Sequence, residues 1–279
     1  MYFRILKKVG FVLLIIFALI GAGFVSMYFA VKWGWTDTKG GVDQQTESFL
    51  NAGKDQTANV IGGTTEYWQT TEEWKVLKAA LIKDKAVLYR AEATTGVPAR
   101  IIASQLVVEQ LRMFNSDRES FKKFFSPLKI LGSQTQFSWG VMGIKRETAL
   151  EIESNLKNTS SPYYLGPQYE HLLDFHTADT ETERFIRMTN QHDHYGSYLY
   201  AGLYLQQFMH QWKSAGFPIS DRVDILATLY NIGFVGSKPH ANPQSGGAVI
   251  TIGNRTYTFG SLAQEFYDSN ELLDEFPRN

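Results

Sequence analysis

The distribution of apolar and polar positions divides the chain into three parts. Residues 10–31 form an apolar run of 22 residues that carries no charge, and about 20 such residues span the hydrocarbon core of a membrane. The pattern therefore predicts a transmembrane anchor over residues 10–32. Residues 33–66 are rich in Gly, Thr, Gln and Asn and have no sustained period, which is typical of a flexible linker. From there the pattern predicts a folded domain over residues 67–279.

The residues that flank the apolar run predict its orientation. Basic residues precede the run and two tryptophans follow it: Arg4, Lys7, Lys8, Trp33 and Trp35. The positive-inside rule then places residues 1–9 in the cytoplasm. We expect a single-pass protein of the inner (cytoplasmic) membrane, with its C-terminal domain in the periplasm or another extracytoplasmic space. A cleaved signal peptide is the alternative, although no small-x-small cleavage site ends the run.

Within the domain, the period of the apolar residues predicts mostly helix. Helices are expected over residues 70–94, 98–114, 145–156, 181–190, 196–214 and 221–232. The stretch VITIGNRTYTFG alternates strictly around Gly253 and Asn254, which predicts a short β-hairpin. A last helix follows, with Ser261 as its expected N-cap. The fold class expected from these patterns is mainly α with a small β-hairpin.

Composition excludes several classes of function. The chain has no cysteine, which excludes disulfides, thiolate metal sites and cysteine nucleophiles. After position 32 the chain carries 23 basic and 28 acidic residues, and this acidic balance argues against a nucleic-acid partner. His192 and His194 lie two residues apart with no third ligand at a known spacing, so a polar loop is favoured over a metal site.

One carboxylate lies on an apolar helix stripe. Ile102, Leu106, Glu109 and Met113 fall on one face of the helix over 98–114. A buried unpaired charge is costly, and the natural escape is protonation, which makes the group a proton donor near neutral pH. For this helix alone, a Glu at the edge of the stripe that reaches solvent is the favoured interpretation.

Two other segments contain polar or glycine residues next to apolar ones. FSWGVMGIK, at 137–145, has two glycines that would allow close approach of backbone to a ligand. ATLYNIGF, at 227–234, places Tyr230 and Asn231 at the end of an apolar helix, with Gly233 as a helix stop. Taken singly, an ordinary turn is the favoured interpretation of the first segment, and ordinary core and cap residues are the favoured interpretation of the second.

The order of the segments is more informative than any one of them. TGVPARIIASQLVVEQ, SWGVMGIK, YLYAGLYL and ATLYNIGF follow one another along the chain. Together they resemble the family of lytic transglycosylases and goose-type lysozymes over roughly residues 85–235. The positions that match the family pattern are Glu109, Gly140, Val141, Met142, residues 198–205, Ala227, Tyr230, Asn231 and Gly233.

The resemblance implies a lysozyme-like α+β domain behind the N-terminal transmembrane helix, and it implies roles for particular residues. Glu109 would be the catalytic acid, and Tyr230 would orient it or support the intermediate. The residues that would line the sugar subsites are Ser138, Gly140, Met142, Tyr198 and Asn231. The chain departs from the family at Gln110, where Ser is usual, at Gly143, where Gln is usual, and in an apparent insertion at 115–136.

The implied activity is cleavage of peptidoglycan glycan strands between N-acetylmuramic acid and N-acetylglucosamine, with no metal or cofactor. The expected partners are peptidoglycan strands and, since such an enzyme would open the wall locally, an envelope protein complex. The membrane is expected to bind the N-terminal helix. A hydrolytic muramidase is the nearest alternative, with its second acid among Glu119, Glu147 and Asp193. A non-catalytic peptidoglycan-binding or scaffold module is the alternative from another class.

Overall fold

The computed structural model describes residues 67–115, 139–190 and 192–278. The expected anchor at 10–32, the linker at 33–66, Ser138 and nearly all of the insertion lie outside the described residues. Among the helices described, none has the length and apolar character needed to cross a membrane. The described residues form eight α-helices and one two-stranded antiparallel sheet, so the expected mainly α fold with a small hairpin is confirmed.

The helices follow the predicted order. Their bounds are Glu72–Lys83 (α1), Lys85–Thr95 (α2), Ala99–Phe114 (α3), Arg146–Lys157 (α4), Thr180–Thr189 (α5), Tyr195–Ser214 (α6), Val223–Ile232 (α7) and Phe259–Asp268 (α8). Single 3₁₀ turns lie at Trp68–Thr70, Pro167–Tyr169 and Phe234–Gly236. The hairpin pairs Val249–Ile252 (β1) with Arg255–Thr258 (β2) around Gly253.

Two of the expected helix starts and one continuous helix need correction. The segment 70–94 forms two helices, because the chain breaks at Asp84, whose carboxylate is held by Tyr198 and His194 from α6 and its N-cap. Pro98 is the N-cap of α3 and does not lie within its first turn. The N-cap of α8 is Thr258, with Ser261 at the third helical position. The two side chains form a reciprocal capping box.

Helix α6 lies at the centre of the core and packs against α2, α4, α5 and α7. Its aromatic side chains at Tyr198, Tyr200, Tyr204, Phe208 and Trp212 are all buried. The aromatic series in this helix therefore belongs to the hydrophobic core, whose burial is the main driving force for folding. Because α6 also contacts α3 and α7, it supports the two helices that carry Glu109 and Tyr230.

The C-terminal segment is fastened to the start of α3 by one buried side chain. Arg100 is 1% exposed, and all five of its N–H groups donate to backbone carbonyl oxygens of the segment 266–276. The donor–acceptor distances lie between 2.8 and 3.1 Å. Since five donors are the full capacity of a guanidinium, Arg100 is completely satisfied without a direct ion pair to an acid. It thereby fixes the helix that carries Glu109.

Candidate functional site

Glu109 is a buried carboxylate held by an arginine on the same helix. Its side chain is 4% exposed, and it lies on the face of α3 that packs into the domain. Arg112 Nη2 donates to Glu109 Oε1 at 2.5 Å, and Arg112 Nε donates to Oε2 at 3.2 Å. The interpretation favoured for this helix alone, a Glu that reaches solvent, is wrong, because the carboxylate is buried within the apolar stripe. The charge is compensated by a two-point contact with a guanidinium.

A six-residue turn, Trp139–Ile144, lies against this carboxylate. Its ends are joined by a hydrogen bond from the Trp139 amide to the Ile144 carbonyl at 2.7 Å. Gly140 and Gly143 both have left-handed backbone, with φ of +63° and +64°. A Cβ added at Gly143 would lie 2.0 Å from Glu109 Oε1. This turn, called the glycine turn below, needs glycine at 143 for both its conformation and its contact.

The other glycine brings the turn against a different part of the core. A Cβ added at Gly140 would lie 2.1 Å from the Met188 carbonyl oxygen and 2.2 Å from Ser197 Oγ. Gly140 therefore fits where the end of α5 meets the start of α6. The two glycines of FSWGVMGIK are thus explained by close contacts on opposite sides of the turn.

Hydrogen bonds from two helices fix the backbone of the glycine turn. Gln110 Nε2, on α3, donates to the Val141 carbonyl at 2.6 Å. The Tyr230 hydroxyl, on α7, donates to the Met142 carbonyl at 2.8 Å. The Met142 side chain is fully buried. The turn is consequently held between the end of α3 and the end of α7, with Glu109 beside it.

Tyr230 is a buried hydrogen-bond donor next to Glu109. Burial raises the pKa of Tyr230 well above its ordinary value, and the negative charge of Glu109 raises it further. The hydroxyl therefore stays protonated across the physiological range. Its ring centroid lies 5.3 Å from that of Tyr204 and 6.4 Å from that of Phe259. The hydroxyl donates to the glycine turn, as described above, and its electrostatic coupling to Glu109 places the two groups in one cluster.

Asn231 holds main chain at the end of α7. Its Oδ1 accepts a hydrogen bond from the Ala248 amide at 2.8 Å. One turn earlier, Thr228 Oγ1 accepts from the Gly246 amide at 2.9 Å. Asn231 is partly exposed. Gly233 ends the helix with φ of +88°, as expected. Asn231 therefore lies beside the cluster and anchors the loop that leads to β1.

Tyr198 takes part in a different cluster. Its hydroxyl donates to Asp84 Oδ2 at 2.6 Å, and the same oxygen lies 2.5 Å from His194 Nδ1. Burial, followed by the hydrogen bond to Asp84, raises the pKa of Tyr198. The structure thus brings Glu109, Gly140, Met142 and Tyr230 together around the glycine turn. It places the Tyr198 hydroxyl in the contact between α2 and α6.

Two residues near the cluster had no assigned role in the sequence analysis. Arg112 is one of them, and its spacing of three from Glu109 on a helix is the signal that could have found it. The other is Glu151 on α4, an exposed residue whose pKa is raised because surrounding protein reduces the hydration of its carboxyl group. Its charge acts on Tyr204 and Tyr163. No sequence signal distinguishes Glu151 from the other acids of α4.

The expected second acids have ordinary surface environments where they are described. Glu147 has a side chain 59% exposed and lies 4.0 Å from Arg146. Asp193 is paired with Arg90 at 2.8 Å. Glu119 lies outside the described residues. The charge of Glu151 acts on Tyr204, whose ring lies 5.3 Å from that of Tyr230.

Comparison with protein-family models, with curated proteins and with solved structures found no match. The arrangement of residues around Glu109 is therefore the observation that bears on function.

Proposed function

We propose that the chain is a membrane-anchored peptidoglycan lytic transglycosylase of lysozyme-like fold. The observation that carries this proposal is the buried carboxylate of Glu109 against the glycine turn, with Tyr230 coupled to its charge. These groups come from segments far apart in sequence that appear in the order typical of the resembling family. A buried titratable group with a specific charge partner is the kind of arrangement found at catalytic sites.

In the proposed reaction Glu109 acts first as an acid and then as a base. It protonates the glycosidic oxygen as the bond between muramyl C1 and that oxygen breaks. As a carboxylate, it then takes the proton from the muramyl 6-hydroxyl, whose oxygen bonds to C1 and gives a 1,6-anhydro product. This scheme needs one protein carboxylate, whereas most glycosidases use two. No metal or cofactor enters the scheme.

The neighbouring residues have supporting roles in this proposal. Tyr230 holds the glycine turn through its hydrogen bond to the Met142 carbonyl. In this proposal its ring and hydroxyl also help to stabilise the charged intermediate near Glu109. Gly140, Ser138 and the side-chain amide of Asn231 would line the sugar subsites. Tyr198 has its hydroxyl engaged by Asp84, so we assign it a structural role in place of the expected sugar contact.

The N-terminal segment gives the proposal its location. With residues 10–32 as a transmembrane anchor and 33–66 as a linker, the domain would act on the cell wall outside the cytoplasm. A linker of this length has a mean reach on the order of 30 Å. Cleavage would then occur close to the membrane, which suits local opening of the wall during assembly of an envelope complex.

Product analysis by mass spectrometry tests the proposal. The full chain, purified in detergent, is incubated with purified peptidoglycan in parallel with Glu109→Gln. The matched control is Glu147→Gln, which changes an exposed glutamate on α4. We expect anhydro-muramyl products from the wild type and the control and none from Glu109→Gln. Equal cleavage by Glu109→Gln would refute the assignment, and no cleavage by any of these proteins on several wall types would favour a binding or scaffold module.

A hydrolytic muramidase is the second candidate, and Glu151 is the observation that favours it. An exposed carboxyl with a raised pKa near Tyr204 is suited to activate water beside the glycan. In that case the products would carry reducing ends in place of anhydro ends. Glu151→Gln would abolish them while leaving the fold intact. Reducing-end products that persist in Glu151→Gln would exclude a role for this residue.

A further inference from the structure

The ion pair between Arg112 and Glu109 is poorly suited to a resting proton donor. A general acid must carry a proton when its substrate arrives. In this structure both carboxylate oxygens accept hydrogen bonds from one guanidinium, at 2.5 and 3.2 Å, which is the arrangement of an ionised carboxylate. The pair must therefore open before Glu109 can protonate a glycosidic oxygen.

Opening the pair needs a new partner for the guanidinium. Arg112 has a side chain 19% exposed, so its charge is largely withdrawn from water, and an unpaired charge in such a place is strongly unfavourable. Within the described residues, Glu109 is the acid that pairs with Arg112. An anion carried by the ligand, approaching Arg112 from solvent, would supply that partner.

We propose that Arg112 is a specificity-determining residue that exchanges Glu109 for a carboxylate of the bound glycan. The inference rests on the proposed function. A guanidinium matches a carboxylate through two parallel hydrogen bonds, so the new pair replaces the old one with the same geometry. Release from Arg112 frees both carboxyl oxygens of Glu109 for the proton transfers that the proposed reaction requires.

The ligand class is a carboxylate-bearing muramyl glycan, as opposed to a neutral polymer of N-acetylglucosamine. The carboxylate has two sources in peptidoglycan. One is the lactyl group of muramic acid, which is free where the stem peptide has been removed. The other is the stem peptide itself. Both offer the same chemistry to Arg112, and the substrates below separate them.

The test compares acidic and neutralised substrates with the full chain in detergent. Denuded glycan strands are used as prepared and after conversion of their carboxylates to methylamides, and intact peptidoglycan supplies stem-peptide carboxylates alone. The proteins are the wild type, Arg112→Gln, Arg112→Lys and the control Arg146→Gln, which removes an arginine paired with Glu181 outside the cluster. Binding of the same strands to each protein is measured by calorimetry, which does not depend on turnover.

We expect the wild type and the control to prefer the acidic strands by about tenfold or more, the effect of one charge-assisted contact. Arg112→Gln should lose this preference, through weaker binding of acidic strands and faster cleavage of neutralised ones. Arg112→Lys keeps the charge without the fork and should be intermediate. A comparable preference for intact peptidoglycan over neutralised strands would identify the stem peptide as a source of the carboxylate.

Three results would count against the inference, and they are distinguishable. If wild type cleaves the strands through Glu109 but Arg112→Gln keeps the wild-type preference in cleavage and binding, Arg112 does not read the carboxylate and the proposed function stands. If the wild type neither cleaves nor binds any strand, the proposed function fails and this inference fails with it. If Arg112→Gln does not fold, an unchanged preference in Arg112→Lys, in both affinity and rate, counts against the exchange.

Discussion

Replacing Arg100 with Met removes the fastening between α3 and the C-terminal segment. The substitution Arg100→Met keeps a long apolar stem and deletes all five donors of a side chain that is 1% exposed. The guanidinium charge of Arg100 lies at the C-terminal end of α8, where the helix dipole favours a cation. Because burial lowers the pKa of Arg100, with Arg278 adding to this effect, the position also carries a desolvation cost that Met would not have.

The size of the effect follows from counting which carbonyl groups lose their last donor. The Phe266 carbonyl keeps the Ser269 amide, and the carbonyls of residues 267 and 269 keep Arg278. The carbonyls of Glu271 and Phe276 have Arg100 as their donor. Two orphaned carbonyl groups cost about 1–3 kcal/mol each, and the recovered desolvation of the charge offsets part of this. We expect a net loss of about 3 kcal/mol in the free energy of unfolding, out of the roughly 5–15 kcal/mol usual for a domain.

Urea unfolding followed by tryptophan fluorescence measures this loss. Trp68 is a suitable reporter, because its ring lies 6.0 Å from Phe266 and its indole N–H donates to Glu265. The control is Arg278→Met, which removes an exposed arginine from the same segment and should cost less than about 1 kcal/mol. If Arg100→Met unfolds within about 1 kcal/mol of the wild type, the five hydrogen bonds do not hold the segment as argued.

Further predictions concern the cluster and its surroundings. Gly143→Ala should abolish cleavage and lower the free energy of unfolding by about 2 kcal/mol or more, because its Cβ would meet Glu109. The control is Gly216→Ala, at a left-handed position with nothing within 4 Å, which should cost only about 1 kcal/mol in the same unfolding assay. Tyr230→Phe should lower stability by about 1–3 kcal/mol, by orphaning the buried turn carbonyl, while circular dichroism stays unchanged. Although burial opposes it, hydrogen bonds lower the pKa of Glu183 to about 2, so its contribution to stability is present above its ordinary pKa of 4.5 and lost as pH falls towards 2. Glu183→Gln should therefore flatten the stability profile over that window, and an unchanged profile would contradict the assignment.

Local signals predicted most of the helices, whereas long-range contacts produced the exceptions. Helix α3, helix α6 and the hairpin were predictable because a helical period and a Gly-Asn turn are written in consecutive residues. The break at Asp84 was not predictable, because the partners of its carboxylate lie 110 and 114 residues further along the chain. The N-cap of α8 was misplaced by three residues, since both Thr258 and Ser261 are good capping residues and only the structure shows which one ends the strand.

Part of the membership of the candidate site was predictable from the sequence, whereas its hydrogen bonds were not. The order of the segments indicated that Glu109, the glycine turn and Tyr230 belong together. It did not indicate that the Tyr230 hydroxyl donates to Met142, because several acceptors lie within reach of a tyrosine at the end of a helix. Glu151 was missed because its raised pKa comes from its surroundings, which the spacing of acids on α4 does not reveal.

Two of the three departures from the pattern of the lytic transglycosylases that the chain resembles, Gln110 and Gly143, make contacts at the candidate site, which bears on whether the domain is degenerate. Gln110, in place of Ser, donates to the Val141 carbonyl and ties the glycine turn to α3. Gly143, in place of Gln, leaves the space that the Glu109 carboxyl occupies, since even a Cβ there would lie 2.0 Å from Oε1. A glutamine at 143 would displace the carboxylate from its contact with Arg112. Both residues therefore hold the turn or accommodate the carboxylate, which counts against the alternative of a degenerate module.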